Sequence, residues 1–575
     1  MNVIIGINAN HADSSSCIIV NGELIVAIEE ERINRVKHYS GYPINSIKEC
    51  LKIANINDFE ITDIAFNTKP FSNMLAKSKF FLKNYKIMDL KLLKRFNNKI
   101  NIKKILFNNF NLNKNIKFHY IEHHLAHIAS AFYPSKFDSA NGLSIDGSGD
   151  FSTLAIAECS KNKINIKKRI SFPNSLGIFY HAMTQFLGFN HYGDEYKVMG
   201  LAAYGKPLYF DKIKKNLFTK NINNNFELNL NFFRHHTNKF RYLSDGILNI
   251  DKIYNEKLET LFKKEKQNNI EDNFAKNFAC SVQKIYEFYF SQILKDIKLL
   301  NFSNNLVFAG GCALNSSANK LLTSNTDLFV KTFIPFAPGD NGGALGAAFV
   351  VASKYNLELK NIQTPYIGRN FKNNEIEKLL KLNENKIDFQ HFEDDNELCK
   401  KVANKISNGK VVGWFQGKME FGPRALGNRS ILADPRNPKM KDIINSKIKR
   451  RESFRPFAPA ILKQHLSDWY DSDYDSPYMS SLANIKKNKA EMIPAVTHID
   501  GTARLQTVNY QTNPKFEKLI TLFYEITDVP ILLNTSFNEN EPMINKPEEA
   551  LDCFLRTDMD YLILNNYFVK KVIYK

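Results

Sequence analysis

Two histidines and two aspartates in this sequence have the types and spacing of a metal site. His123 and His127 lie four residues apart in HHLAH, so on a helix both rings project from one face and can bind one cation. Asp146 in DGSGD and Asp340 in PGDNGG offer carboxylates from glycine-rich turns that allow close approach. Such a mixed set suits iron, zinc or a similar ion. On spacing alone, paired histidines are more often structural, and His124 is an alternative ligand.

A second group of residues is rich in cations and predicts an anion site. Six of its basic side chains lie in two segments, GKMEFGPRALGNRSILADPR and KIKRRESFRPFAP. They are Lys418, Arg424, Arg429, Lys449, Arg451 and Arg455. Guanidinium groups bind phosphate and carboxylate through paired hydrogen bonds, and the interspersed Gly, Pro and Phe residues favour shaped turns over a solvated helix face. Arg504, Asn534 and Ser536 add donors, although any of them could cap a turn instead.

Three turns that follow predicted strands are candidates for phosphate binding. They are NANHADSSS, DGSGDFST and AGGCALN. Backbone N–H groups and hydroxyls in such turns can surround phosphate oxygens. A single loop of this kind also fits an ordinary turn, but three of them favour nucleotide binding.

Strands and helices must position these residues. Strands VIIGI, SCIIV and ELIVAI open the chain around a hairpin turn at Asn21–Gly22. A short strand precedes the predicted histidine helix, DGSGD joins two strands, a long helix covers 274–300, and NLVFA is a buried strand before its glycines. Another helix follows PGDNGG, and the pattern then lapses at 357–366, which predicts a linker between two domains.

The second domain is predicted to mix helices and strands. The predicted elements are helices over 373–382, 397–407 and 439–449, the strand VVGWF, a basic loop, and a final strand pair around PILLNTSFN and YLILNNYFV.

Composition predicts a multidomain globular enzyme. The 575 residues exceed the size of one hydrophobic core, and 43% hydrophobic with 24% charged residues is ordinary globular usage. Much of the net charge of +19 lies in Lys/Asn-rich stretches at 77–117 and 211–266, which we interpret as solvated surface because no nucleic-acid motif accompanies them. Seven scattered cysteines form no C-x-x-C pair. With neither a signal peptide nor a membrane-spanning apolar stretch, the expected location is the cytoplasm.

Nine motifs occur in order along the chain and together suggest a family. They are HHLAH, DGSGD, EYKVMGLAAYG, GGCALN, PGDNGGALGAA, MEFGPRALGNRS, FRPFAP, DGTARLQTV and LLNTSFN. In combination they resemble the NodU-type O-carbamoyltransferase family over nearly the whole chain. The resemblance implies an α/β protein: an actin-like ATPase (ASKHA) fold of two βββαβα-type subdomains over 1–356, and a YrdC-like α/β domain over 367–575.

The resemblance also implies the reaction. In this family, carbamoyl phosphate and ATP form carbamoyladenylate in the C-terminal domain, and the N-terminal domain carbamoylates a hydroxyl of a sugar or secondary metabolite. Mg²⁺ is expected to accompany ATP. The family's metal positions, expected to hold iron(II) or another divalent ion, fall on His123, His127, Asp146 and Asp340.

Other residues match positions that bind substrates in the family. The adenosine-binding loop falls on Gly310, Gly311 and Asn315. The positions that hold carbamoyl phosphate fall on Lys449, Arg455 and Ser536, and those near the nucleotide phosphates fall on Arg424 and Arg504. His11 matches a histidine near the acceptor, where it could act as the general base or orient the acceptor.

Three basic residues fit the family pattern less clearly. Lys418 stands where the family commonly has arginine, which puts a two-point contact at that position in doubt. Arg35 and Lys37 in ERINRVKH match the pattern, with surface charge as the alternative interpretation.

Three other functions use the same features. Threonylcarbamoyl-type tRNA modification and hydrogenase-cofactor carbamoylation share the chemistry, but the C-terminal extension and the missing zinc-finger cysteines weigh against both. A non-catalytic nucleic-acid-binding module would use the basic stretches. We expect carbamoyl phosphate, ATP and a hydroxyl-bearing small molecule or saccharide as partners, with no nucleic acid and no membrane span. The acceptor and the oligomeric state stay open.

Overall fold

Helices and sheets alternate in this chain, which divides into two units, Met1–Gln363 and Thr364–Lys575. The computed structural model describes residues 1–83, 102–161, 163–219, 226–237, 241–242, 246–262, 272–323 and 327–572. The mixture of helices and sheets confirms the predicted α/β class. Parts of the basic stretches 77–117 and 211–266 lie outside the described residues, so their interpretation as solvated surface stays a prediction.

The first unit contains two five-stranded sheets with the same strand order. The strands of the first sheet are Val3–Asn8, Ser15–Val20, Glu23–Glu29, Asp63–Phe66 and Lys117–Tyr120. Those of the second are Ser139–Gly149, Ser152–Ser160, Lys163–Ser171, Asn305–Ala309 and Lys331–Phe333. If the five strands of each sheet are numbered along the chain, their spatial order across the sheet is third, second, first, fourth, fifth. The first three strands are antiparallel, and the last two run parallel to the first.

Helices connect and cover these sheets. The α-helices described in the first unit are Glu31–Asn34, Ile44–Ala54, Met74–Lys83, Ile102–Asn109, His123–Ser135, Leu176–Phe186, Glu195–Ala202, Phe210–Leu217, Glu256–Phe262, Asn273–Leu299, Ser316–Thr323 and Gly342–Lys354. Short 3₁₀ turns occupy Asp58–Glu60, Leu230–Phe232 and Gly311–Leu314. Two small hairpins pair Phe218–Thr219 with Glu227–Leu228 and Arg241–Tyr242 with Leu248–Asn249.

The opening hairpin follows from its sequence. Apolar residues of the first strand are buried in one core with residues of the parallel neighbour strand, such as Ile5 with Ile64. The turn at Asn21 and Gly22 has φ values of 49° and 91°, a region that asparagine and glycine tolerate best. The predicted hairpin is therefore confirmed, as is the predicted strand before the histidine helix.

The second unit is built on one mixed eight-stranded sheet. Its strands, in spatial order, are Ile387–His391, Tyr567–Lys571, Tyr561–Leu564, Val412–Phe415, Arg429–Ala433, Ile531–Ser536, Ala458–Leu462 and Gln506–Val508. A separate two-stranded sheet consists of the strands Leu482–Asn484 and Thr502–Arg504. Its α-helices are Asn373–Lys381, Asp395–Ser407, Met440–Ile444, Leu466–Trp469, Lys487–Ala490, Pro514–Thr527 and Pro547–Arg556. A 3₁₀ turn covers Lys463–His465.

The final strand pair predicted for this unit is wrong in detail. Strands Val412–Phe415 and Arg429–Ala433 lie between Ile531–Ser536 and Tyr561–Leu564. The segment YLILNNYFV is itself a hairpin, in which Tyr561–Leu564 pairs with Tyr567–Lys571. Apolar runs identify buried strands but carry no information on which strands are neighbours.

The helix predicted over 439–449 is also only partly α-helical. It is an α-helix at Met440–Ile444 and continues as a π-helical turn over Asn445–Lys449. Such turns are frequent at functional sites. No helix in the described ranges combines the length and the apolar character needed to cross a membrane.

Arg429 is a structural residue, so its assignment to the anion site is wrong. It begins the strand Arg429–Ala433 and is fully buried. Its guanidinium donates to the carbonyl oxygens of Gln416 at 2.7 Å and Asn428 at 2.9 Å, and it lies 3.6 Å from the ring centroid of Phe415. Because these contacts occupy the guanidinium inside the core, Arg429 holds the turn before its strand.

Replacing Arg429 should destabilise the second unit. We expect Arg429→Ala to lower its free energy of unfolding by about 3 kcal/mol, since buried carbonyl groups would lose their donors. Urea unfolding followed by tryptophan fluorescence reports on this unit, because both tryptophans, Trp414 and Trp469, are buried in it. The control Arg450→Ala, whose side chain is 71% exposed, should change the value by less than about 0.5 kcal/mol. Equal effects of the two variants would contradict this role.

Candidate active site

Four side chains converge in the first unit and form what we call the His–Asp cluster: His123, His127, Asp146 and Asp340. Their candidate ligand atoms all lie within 4.8 Å of one another. The Nε2 atoms of His123 and His127 are 3.0 Å apart. Nε2 of His123 is 2.9 Å from Oδ2 of Asp146, and Nε2 of His127 is 3.3 Å from Oδ1 of Asp340. The structure therefore brings all four predicted residues together.

The helix His123–Ser135 presents the two rings. Its N-cap is Glu122, whose carboxylate accepts the Leu125 N–H at 2.9 Å. The carboxylate of Asp150 accepts the backbone N–H of His123 at 3.0 Å and the hydroxyl of Thr68 at 2.8 Å. Sequence analysis missed Asp150, although it is the second aspartate of DGSGD. These contacts fix the start of the helix and hence the position of His123.

Glycines allow the other parts of the cluster to approach this helix. Asp146 lies on the strand Ser139–Gly149, and a Cβ on Gly149 would lie 2.0 Å from Cδ2 of His123. Asp340 precedes the helix Gly342–Lys354, in which a Cβ on Gly346 would lie 1.8 Å from the carbonyl oxygen of Ala126. Any larger residue at these two glycines would push the ligands apart.

Charges in the cluster favour a cation. Burial raises the pKa of Asp340, and the charge of Asp146 raises it further. Burial also opposes ionisation of Asp146, but hydrogen bonds with His123 and His127 hold the pKa of Asp146 well below its usual range. Although burial disfavours an imidazolium, Asp146 and Asp340 raise the pKa of His127 to about 9. The carboxylates thus stabilise positive charge between them.

The ligand set fits a divalent metal ion. Two ring nitrogens that face each other at 3.0 Å can share only one proton, and two carboxylates lie against the same pair. A divalent cation would satisfy all four groups, and imidazole with carboxylate suits iron or zinc. His124 is the alternative ligand, but its Nδ1 lies 2.8 Å from the Ser144 hydroxyl, and the cluster forms without it.

The GGCALN loop lies beside the His–Asp cluster. Gly310 has a φ of 93°, and a Cβ there would lie 2.2 Å from the carbonyl oxygen of Ile145. The N–H of Gly311 donates to Oδ1 of Asp146 at 3.1 Å. Asn315 exchanges hydrogen bonds with the side-chain amide of Gln283 at 3.1 Å. The structure therefore places the predicted adenosine loop against the predicted metal ligand, while its role in binding adenosine stays a prediction.

His11 also contacts the cluster. Its ring centroid lies 4.7 Å from that of His123. It belongs to the loop between the strands Val3–Asn8 and Ser15–Val20. This position is compatible with both roles that the sequence left open.

In the second unit, basic side chains interact strongly with one another. Burial lowers the pKa of Arg504 well below its usual range, and the charges of Arg424, Arg451 and Arg455 lower it further. Burial likewise lowers the pKa of Lys449, with Arg451 and Arg455 adding to the effect. We call these five residues the basic cluster. An anion among them would relieve their mutual repulsion, as expected at a phosphate site.

Lys449 is directed towards the loop that carries Ser536. Its Nζ donates to the carbonyl oxygens of Ser536 at 2.6 Å and Asn538 at 2.7 Å, and to Oδ1 of Asn538 at 2.7 Å. The Ser536 hydroxyl donates to the same Oδ1 at 2.8 Å. Lys449 therefore shapes this loop, and its contact with carbamoyl phosphate stays a prediction.

Two other predicted donors lie outside the basic cluster. The side chain of Asn534 donates to the Ala425 carbonyl at 3.1 Å and to Oε1 of Gln506 at 2.8 Å, so it holds the turn that carries Arg424. Lys418 is exposed.

Comparison with known proteins identifies the family. Residues 3–349 match the model of the carbamoyltransferase N-terminus, and residues 403–571 match that of the carbamoyltransferase C-terminus. The chain therefore belongs to the carbamoyltransferase family, and the predictions of the family and of an enzyme of this class are confirmed.

Three relatives illustrate its range. An uncharacterized protein of Synechocystis sp. is 36% identical over 99% of this chain and 97% of the relative. Nodulation protein NolNO of Sinorhizobium fredii is 33% identical over 97% of this chain and 79% of the relative. The 3'-hydroxymethylcephem-O-carbamoyltransferase of Amycolatopsis lactamdurans is 31% identical over 46% of this chain and 48% of the relative.

Metal binding should release protons. Because the pKa of His127 is raised to about 9, this ring is protonated at pH 7.5 in the metal-free protein and must lose its proton to become a ligand. We expect about one proton released per anaerobically added Fe²⁺ at pH 7.5, decreasing towards zero as the pH rises through 9. Calorimetry in HEPES and in Tris at each pH measures this number. A binding heat that is independent of the buffer at pH 7.5 would contradict the assignment.

Proposed function

We propose that the chain is an O-carbamoyltransferase that converts carbamoyl phosphate and ATP into carbamoyladenylate and transfers the carbamoyl group to a hydroxyl of a sugar or secondary metabolite. The observation that carries this proposal is the His–Asp cluster, whose ligand atoms lie within 4.8 Å of one another and which touches the GGCALN loop through Asp146. The name of the Amycolatopsis relative, an O-carbamoyltransferase with a hydroxymethyl acceptor, supports the hydroxyl as the acceptor group.

The architecture supports two different roles for the two units. The repeated strand order of the two sheets in the first unit is the duplication expected of the actin-like ATPase fold. We assign carbamoyl transfer to this unit. We assign a YrdC-like fold and adenylate formation to the second unit, whose basic cluster supports the handling of phosphorylated substrates.

The first half-reaction would take place at the basic cluster. Carbamoyl phosphate must lose its phosphate, and the carbamate oxygen must bond to the α-phosphorus of ATP, so that pyrophosphate leaves. With one water consumed, the products are carbamoyladenylate, phosphate and pyrophosphate. Negative charge develops on both leaving groups, and the cations of Arg424, Arg455 and Arg504 would stabilise it. Mg²⁺ would accompany ATP.

The second half-reaction would take place beside the His–Asp cluster. An acceptor hydroxyl attacks the carbamoyl carbon, and the bond from that carbon to the oxygen of the AMP phosphate breaks. His123, His127, Asp146 and Asp340 would hold a divalent ion such as iron(II), which supplies Lewis-acid polarisation of a substrate oxygen. Gly310 and Gly311 would place the adenylate next to these ligands, because their loop contacts Asp146. We place this reaction in the cytoplasm.

The two half-reactions can be separated by mutation. With carbamoyl phosphate, ATP and iron(II), the protein should form carbamoyladenylate and pyrophosphate, detectable by mass spectrometry without an acceptor. Lys449→Ala should lower this rate by about 100-fold, since the cluster loses a cation and the Ser536 loop its anchor. His127→Ala should leave adenylate formation unchanged and block transfer.

Matched controls distinguish these effects from general damage. Lys447→Ala removes a nearby lysine that lies 3.4 Å from Asp560, and His119→Gln removes a histidine paired with Asp63 at 2.7 Å. Both variants should keep both half-reactions. If His127→Ala abolished adenylate formation while Lys449→Ala spared it, the assignment of the two units would be reversed.

A further inference from the structure

A histidine–carboxylate pair lies in the first unit outside the His–Asp cluster. The loop between the strands Val3–Asn8 and Ser15–Val20 carries both His11 and Asp13. The ring of His11 lies 4.7 Å from that of His123, whereas Oδ1 of Asp13 lies 2.8 Å from Nδ1 of His38. Asp13 has a φ of 53°, and this turn sends the two side chains to different partners. One short loop therefore links the His–Asp cluster to His38.

The His38 ring is held in a defined orientation. Asp13 holds Nδ1, and the backbone N–H of His38 donates to Oε2 of Glu31 at 2.8 Å. The opposite nitrogen, Nε2, faces Gly193, where a Cβ would lie only 2.6 Å away. In the part of the chain that the structure describes, no residue forms a hydrogen bond with Nε2, and the side chain is 28% exposed. The ring thus has one nitrogen without a hydrogen bond to the described residues.

Tyr192 connects this pair to the His–Asp cluster. The rings of His38 and Tyr192 meet edge to face, with centroids 5.3 Å apart. Burial raises the pKa of Tyr192 well above its usual range, and the charges of Asp340, Asp13 and Asp146 raise it further. Tyr192 therefore lies within electrostatic reach of both groups. Because the loop that carries Asp13 also places the ring of His11 4.7 Å from that of His123, His38 belongs to the same region as the predicted transfer site.

We propose that His38 is the general base of the transfer reaction, which leaves His11 the role of orienting the acceptor. Its Nε2 takes the proton of the acceptor hydroxyl as the acceptor oxygen bonds to the carbamoyl carbon. The bond between that carbon and the AMP phosphate oxygen breaks, and its electron pair leaves with AMP. The proton then passes from His38 to solvent. Asp13 is a positioning residue that fixes the ring and stabilises the imidazolium, as carboxylates do in histidine-based catalysis.

Electrostatics around His38 support this role. Burial disfavours the protonated ring, but the charge and hydrogen bond of Asp13, together with the charge of Glu31, raise the pKa of His38. A histidine that accepts a proton during the reaction becomes an imidazolium, and a neighbouring carboxylate stabilises that charge.

A second metal site is the main alternative, since candidate ligand atoms of Asp13, Glu31 and His38 also lie within 4.8 Å of one another. The contacts argue against it. Glu31 already forms an ion pair with Arg32 at 2.7 Å and accepts the His38 N–H. Arg32 also pairs with Glu29 at 3.1 Å, so a fixed guanidinium cation already lies against the carboxylate that a metal would need.

The inference rests on the proposed function, and the experiment separates the two. Wild type, His38→Ala and Asp13→Asn are each given carbamoyl phosphate, ATP and iron(II), and carbamoyladenylate is measured first. Ethanol at molar concentration and hydroxylamine then serve as alternative acceptors, with ethyl carbamate and hydroxyurea as products. Hydroxylamine is a strong nucleophile that depends little on a base. His119→Gln is the matched control, because His119 is held by Asp63 at 2.7 Å in a similar pair.

We expect His38→Ala to form carbamoyladenylate and to retain its iron, but to lose about 100-fold or more in transfer to ethanol. Transfer to hydroxylamine should change by less than about threefold, and added imidazole should restore part of the ethanol activity. Asp13→Asn should lower kcat for ethanol with little change in KM. The His119→Gln variant should behave as wild type.

Other outcomes overturn the proposal in distinguishable ways. If wild type forms no carbamoyladenylate, the proposed function itself fails. If adenylate forms but His38→Ala transfers to ethanol normally, or loses ethanol and hydroxylamine transfer equally, His38 is not the base. Loss of a second equivalent of metal in His38→Ala would make it a ligand instead. Absence of ethanol transfer by wild type would contradict an accessible acceptor position beside His38.

Discussion

The close contact between two helices is the constraint on which the His–Asp cluster depends. The helix Gly342–Lys354 approaches His123–Ser135 so closely that a Cβ on Gly346 would lie 1.8 Å from the Ala126 carbonyl. The helix Gly342–Lys354 follows Asp340, and the helix His123–Ser135 carries both histidines. Because packed interiors tolerate little added volume, this glycine sets the separation of the helices and hence of the ligands. Sub-ångström control of ligand positions is what metal chemistry requires.

The two units of the chain have opposite electrostatic characters at their candidate sites. In the first, carboxylates stabilise positive charge, and the pKa of His127 is raised to about 9. In the second, burial and then neighbouring cations lower the pKa values of Lys449 and Arg504. Phosphate activation needs cations, whereas a metal-assisted transfer needs anionic and imidazole ligands. Because the two candidate sites lie in separate units, the first can stay rich in carboxylates while the second stays rich in cations.

Sequence patterns predicted the opening strands and the four residues of the His–Asp cluster. They did not predict which strands or side chains lie next to one another. The four-residue spacing of His123 and His127 placed both rings on one helix face, and the motifs indicated which aspartates join them. Burial and pairing were harder to predict. The basic character of Arg429 suggested a ligand site, yet its guanidinium binds backbone carbonyls in the core. The pairing of Asp13 with His38 depends on how two loops meet, which no local periodicity encodes.

The most direct test of this account is the position of the metal. A crystal grown anaerobically with Fe²⁺ should show an anomalous iron peak bounded by Nε2 of His123, Nε2 of His127 and the carboxylates of Asp146 and Asp340, at ligand distances of about 2.0–2.2 Å. Its occupancy should disappear in Asp340→Asn crystals. An iron peak bound elsewhere, with the four side chains still in direct contact with one another, would contradict the central claim.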